Sequence, residues 1–60
     1  MSKEKEKVFK ELNPPGAYVG YHGRDVIIQA YTLDGDAIVL DTATDEETVI
    51  PIEELYEQNY

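Results

Sequence analysis

The stretch "AYTLDGDAIVL", Ala30 to Leu40, sets two apolar runs on either side of Asp34-Gly35. The length of its turn decides which side chains share a face. A two-residue loop, Asp34-Gly35, sets Leu33 opposite Asp36, Tyr31 opposite Ile38 and Gln29 opposite Leu40, which carries Gln29 into the apolar layer. A three-residue loop, Leu33-Asp34-Gly35, sets Thr32 opposite Asp36, Ala30 opposite Ile38 and Ile28 opposite Leu40. Gln29, Tyr31 and Asp41 then go to the other face. Gly35 takes the third loop position, where the common three-residue hairpin wants a residue at positive φ. A slip of one residue reverses every side chain, so the hydrophobic pattern favours the three-residue loop.

The same pairing carried across "ATDEE" (43–47) sets Leu40 with Ile50 and Ile38 with Ile52. The expected core is Val19, Tyr21, Val26, Ile28, Ala30, Ile38, Leu40, Ile50 and Ile52, closed at its ends by Leu55 and by Val8, Phe9 and Leu12. Upstream, "AYVGYH" and "RDVIIQAYTL" are rich in Val, Ile, Tyr and Thr and are joined by "HG" at 22–23. Connections this short permit hairpins but no parallel crossover, so the strands form an antiparallel meander.

The N-terminal "SKEKEKVFKEL" reads as a short helix. Ser2 is an acceptable N-cap, and Val8, Phe9 and Leu12 share one face. "NPPG" ends it, because the residue before a proline is pushed away from the α region. A helix of this length is not stable by itself in water, so it is expected to dock on the strands. At the other end, Pro51 implies an edge strand or a strand end. "EEL" suits a single helical turn, after which Tyr56 to Gln58 is expected as a fifth short strand.

The expected architecture is mainly β: one domain holding a five-stranded antiparallel small β-barrel over 17–58, an N-terminal helix over 1–12, and a single helical turn before the last strand. This arrangement resembles the SH3-like and Sm-like small barrels, through Gly35, the "DAIVLDT" and "TVIPIEEL" strands and the N-terminal helix. The SH3 groove for proline-rich peptides uses a conspicuous tryptophan and a long first loop, whereas this chain has no tryptophan and a first loop of "HG". Sm-like RNA binders carry basic and polar residues where this chain is rich in carboxylates. The resemblance therefore implies a fold and neither ligand class.

Charge narrows the function classes. Residues 1–24 hold all five basic residues against three glutamates, a balance of +2, and residues 25–60 hold ten carboxylates and no basic residue, a balance of −10, which together give the net −8. Binding nucleic acid through its phosphates needs a basic footprint, and the β half has none. A chain without cysteine has no disulfide and no thiolate metal site. No apolar run approaches the roughly 18–20 residues of a membrane span. The N-terminus has charges but no apolar h-region, so it does not read as a signal peptide. A cytoplasmic protein, or a soluble recombinant chain, is the expectation.

No catalytic constellation is legible. Ser2 is the only serine, His22 has no nucleophile nearby in sequence, and a barrel this small leaves little room for a substrate cavity. Asp34, Asp36, Asp45, Glu46 and Glu47 lie in loops without EF-hand spacing, and turn chemistry accounts for Asp34 and Asp36. Arg24 is expected to pair with a carboxylate of a neighbouring strand. No cofactor or metal is expected. Candidate contact residues for a basic protein partner are Tyr18, Tyr31, Asp45, Glu46, Glu47 and Tyr56, because tyrosine buries a large area with one polar handle. The chain reads as a non-catalytic scaffold or protein-binding module, expected as a monomer with a homo-oligomer as the alternative. Its consistent binary pattern is also what design rules produce, so a designed fold without natural function fits too. The alternative from another class is an acidic inhibitor that mimics nucleic acid.

Overall fold

The computed structural model describes residues 3–60; the expected N-cap, Ser2, lies outside the described residues. Helix α1 (Lys3–Leu12) is built from good helix formers, with Glu4 and Glu6 in its first turn and Lys10 in its last, the charge order that complements the helix dipole. It stops at Asn13, whose N–H and carboxamide both donate to the Phe9 carbonyl, at 2.9 and 3.1 Å. Four strands follow, β1 (Tyr18–Tyr21), β2 (Arg24–Tyr31), β3 (Asp36–Asp41) and β4 (Glu46–Pro51), and then helix α2 (Ile52–Asn59). The strands pair in sequence order, each antiparallel to the next.

The sheet is open and four-stranded, not the expected closed barrel of five. The segment read as a helical turn plus a fifth strand is one continuous helix, α2. Ile52, Leu55, Tyr56 and Asn59 recur at i, i+3, i+4 and i+7, no glycine or proline follows Pro51, and Glu53 and Glu54 occupy the first turn. These are helix signals. Pro51 enters at φ −57, which suits a proline at a helix boundary. With no fifth strand, nothing bridges β1 to β4 and the sheet keeps two edges.

The β2–β3 turn is the three-residue loop. Thr32 N–H donates to the Asp36 carbonyl at 2.9 Å, Gly35 N–H reaches the Thr32 carbonyl at 3.4 Å, and Gly35 stands at φ 90. Ala30 opposes Ile38 as expected. A bulge between Ile28 and Ala30 then leaves Gln29 unpaired, so Ile28 opposes Val39 rather than Leu40. The extra residue reverses the faces of β3 beyond it. Ala37 and Val39 are buried, while Ile38 and Leu40 turn to the opposite side with Ala30, and none of these three is in the core. The next hairpin differs accordingly. Its loop is Thr42 to Asp45, with Asp45 at φ 59, and the partners are Ala37 with Ile50, Ile38 with Val49 and Leu40 with Glu47.

The core is Phe9, Val19, Val26, Ile28, Ala37, Val39, Ile50, Ile52 and Leu55, with Tyr21, Tyr31 and Tyr56 packed against it. It lies between one face of the sheet and α2, and α1 packs on α2. Phe9 is fully buried, edge-on to Tyr31 and Tyr60 at centroid distances of 6.4 and 6.1 Å. Val8 and Leu12, expected to close the core, are instead 43% and 61% exposed. At 100° per residue both fall on one flank of α1, about 60° (Leu12) and 100° (Val8) round from Phe9, and α2 packs on the Phe9 side. The Cα radius of gyration, 10.4 Å, is what a compact chain of this length gives, about 10 Å. The open sheet is therefore not an extended one.

Candidate functional site

Alternation along the strands gives the sheet two different faces. The inner face carries the core. On the outer face one row, Tyr18, Ile27, Leu40 and Glu47, crosses all four strands, and a second row joins Ala30, Ile38 and Val49. Tyr18 and Val49, at the ends of these rows, are 66% and 58% exposed, and Ile27, Ala30, Ile38 and Leu40 between them are half-buried. Both helices lie on the other side, where their buried residues join the core. The charged side chains that alternation assigns to the outer face are Asp25, Asp36 and Glu47. All four lysines are on α1, and Arg24 is on the inner face, 3.0 Å from Asp41, the strand-to-strand pairing expected of it. The outer face is thus an apolar band rimmed by carboxylates, with no cation of its own among the described residues.

The two sheet edges also differ. On β1, one carboxamide clamps the free edge: Gly20 N–H donates to Asn59 Oδ1 and Asn59 Nδ2 donates to the Gly20 carbonyl, both at 2.9 Å. Gln58 Oε1 accepts from the His22 N–H at 2.6 Å. The end of α2 thereby takes the place of a neighbouring strand. On β4 the ladder alternates from the Ile52 N–H bond to the Gly35 carbonyl. That parity turns the N–H and C=O of Glu47 and Val49 away from β3. Pro51, which has no N–H to lose, shares that parity.

Among the described residues, depressions lie on both sides of the inner layer. A cleft of about 240 Å³ on the inner face is floored by Val26, Val39 and Ile50 and rimmed by Tyr21, Arg24, Asp41 and Thr48. Asp41 accepts from the Ala43 N–H at 2.8 Å and from Arg24, and these bonds hold its carboxyl below the usual carboxylate range. Tyr21 donates to Glu54 Oε2 at 3.3 Å; loss of hydration, and then the Glu54 charge, push its phenol up. His22 also lines the cleft, whose one carboxylate, Asp41, is paired with Arg24. The other depression, an open groove of about 570 Å³ between α1 and the β2–β3 turn, mixes Lys3, Lys7 and Lys10 with Glu6, Glu11 and Asp34. Among the described residues no group of three or more His, Asp or Glu could hold a metal ion, and no helix is long and apolar enough to cross a membrane.

The candidate contact residues do not form one surface. Tyr18 and Glu47 end the same outer row. Asp45 is in the β3–β4 turn, and Glu46, opposite Asp41, begins β4 on the inner side. Tyr31 and Tyr56 hold the helix layer together. The Tyr31 hydroxyl donates to the Asn13 carbonyl, Lys10 Nζ lies 5.8 Å over its ring, and burial pushes its pKa up to about 12. Tyr56 packs on Tyr60 at 5.0 Å, with Lys5 Nζ 5.6 Å over its ring. Of the apolar centre of the outer face, Ile38 and Leu40 are expected from the sequence in the core, and Ile27 and Val49 are not among the expected contact residues. The signal of that centre is that "AIVL" in β3 is apolar at both parities, the pattern of a strand with both faces covered. No protein family, curated protein or solved structure matches the chain.

Proposed function

We propose that the protein is a non-catalytic binding module whose working surface is the outer face of its sheet, and that its partner is a basic protein segment carrying apolar side chains. The observation that carries this reading is an apolar band over which neither helix packs, with Ile27, Ile38 and Leu40 half-buried and Val49 exposed, in a chain of net charge −8. A small domain has little apolar surface to spare, and contiguous exposed apolar patches with polar rims are the mark of an interaction site. Asp25, Asp36 and Glu47 supply the rim and set the sign of the partner. A nucleic-acid mimic would instead need carboxylates in a continuous stripe, and here apolar side chains separate them.

The test is a titration with the peptide acetyl-Lys-Thr-Val-Thr-Lys-Thr-Val-Thr-Lys-amide, against an oligolysine of equal charge. The mixed peptide should bind more tightly, and Leu40→Thr and Glu47→Gln should each weaken it several-fold. Equal affinity for both peptides, or an unaffected Leu40→Thr variant, would refute the reading.

A further inference from the structure

We infer that the partner docks as an extended strand, antiparallel to β4 on its free edge, continuing the sheet. This inference rests on the outer-face reading and specifies the partner's conformation and side-chain pattern. The first support is the contrast between the edges. Exposed edges are templates for pairing with another chain, and on the β1 edge Asn59 and Gln58 already take the Gly20 groups and the His22 N–H, which blocks a strand from running along it. On β4 the backbone groups of Glu47 and Val49 point outward with no strand beside them. A docked helix would leave those groups to water, whereas an added strand bonds to all of them.

The second support is parity. Glu47 and Val49 also point their side chains onto the outer face, where they end the two cross-strand rows. A segment paired to β4 would therefore place alternate side chains beside them. Opposite charges and apolar pairs across strands are favourable, and like charges are not. The residue opposite Glu47 is then Lys or Arg, and the residue two positions away, opposite Val49, is apolar. The apolar band thereby extends onto the partner.

Charge decides which occupant fits. A second copy brought to the same edge carries its own Glu46 and Glu47, within a chain of net −8 meeting another of net −8. Carboxylates on an edge strand deter self-pairing, and the same carboxylates attract a cationic strand. The occupant is an extended segment of alternating basic and apolar residues, from another protein.

The experiment uses the peptide named above in three forms: unmodified, N-methylated at the Lys and Val residues meant to oppose Glu47 and Val49, and N-methylated only at the intervening Thr residues. Hydrogen exchange of the protein's amides is followed by NMR in the same titration. The first methylation should weaken binding by about tenfold or more, since it removes two or more hydrogen bonds at roughly 1 kcal/mol each. The second should leave binding close to that of the parent. Exchange at the Glu47 and Val49 amides should slow on binding, while the Thr48 amide stays as it was. Equal binding of all three peptides, or shifts at Ile27, Ile38 and Leu40 without protection at Glu47 and Val49, would overturn strand addition and leave the outer-face reading standing. Binding that shifts neither region would remove both. Amides of Glu47 and Val49 already protected in the free protein, with protection lost on dilution, would identify a second copy as the occupant and overturn the inference.

Discussion

Gly35 stands at φ 90, and a β-carbon there would come 3.2 Å from Glu6 Oε1. A β-branched residue resists that backbone region, so Gly35→Val should cost roughly 1–3 kcal/mol, read as a lower denaturant midpoint with an unchanged slope. This glycine was legible in the sequence, because the three-residue loop requires it. Gln29 was not. A bulge of this kind makes no strong demand on residue type, and β3 is apolar at both parities, so exchanging Ile38 and Leu40 for Ala37 and Val39 left no polar residue misplaced to signal the error. Tyr31 gives a pH prediction. Burial raises its pKa from 10 to about 12, so the folded state disfavours the tyrosinate. Its stabilising effect is whole below pH 10 and is lost as pH rises through about 12. The melting temperature should fall over that interval, and Tyr31→Phe should flatten the fall. A slope unchanged by that substitution would place the titration elsewhere. Asp41 acts in the opposite direction. Its pKa is lowered, chiefly by the Ala43 N–H and then by Arg24. Its stabilisation is present at neutral pH and disappears as pH drops below the ordinary carboxylate value of 3.8.

The helices are where element-level reasoning both succeeded and failed. For α1 the lysine and glutamate run, the Val8-Phe9-Leu12 spacing and the NPPG stop were sufficient to place it, and its docking follows from the burial of Phe9. Phe9→Ala should cost about 3–5 kcal/mol. A domain of this length has in total only roughly 3–9 kcal/mol, so that variant, or removal of residues 1–12, should lose a third or more of the stability and melt at a much lower temperature by circular dichroism. Native-like melting of the truncated chain would show that α1 contributes nothing to the core. For α2 the i, i+3, i+4 pattern of Ile52, Leu55 and Tyr56 marks a full helix, but "EEL" by itself suggests no more than one turn, which leaves Tyr56 to Gln58 to be expected as a strand. The helix serves the sheet in another way, through the Asn59 clamp on Gly20. Asn59→Ala should cost about 1–2 kcal/mol and leave the β1 edge open. The measurable consequence is faster amide exchange at Gly20, and an unchanged rate there would mean that the clamp is not formed in solution.

At the scale of the whole molecule, the lysines are segregated from the apolar band: every lysine is on α1, among the glutamates of the helix layer, while the band and its rim of Asp25, Asp36 and Glu47 lie on the other side of the sheet. Net charge of −8 on so small a body is repulsive. Salt should therefore raise the melting temperature, with screening reaching about 8 Å at physiological ionic strength, and Glu46→Gln with Glu47→Gln should leave stability equal or higher. A loss of stability would reveal an ion pair that holds the fold together. The acidity was legible from composition, but its position was not, since which carboxylates border apolar side chains depends on a register that one bulge resets. The most direct measurement is paramagnetic broadening of the methyl signals by a soluble, uncharged spin probe, with and without the basic alternating peptide. In the free protein Ile27, Ile38, Leu40 and Val49 should broaden while Ile28, Val39 and Ile50 stay sharp, and the peptide should restore the first set. Leu40 as protected as Ile50 in the free protein, or outer methyls that stay exposed when the peptide is bound, would contradict the account.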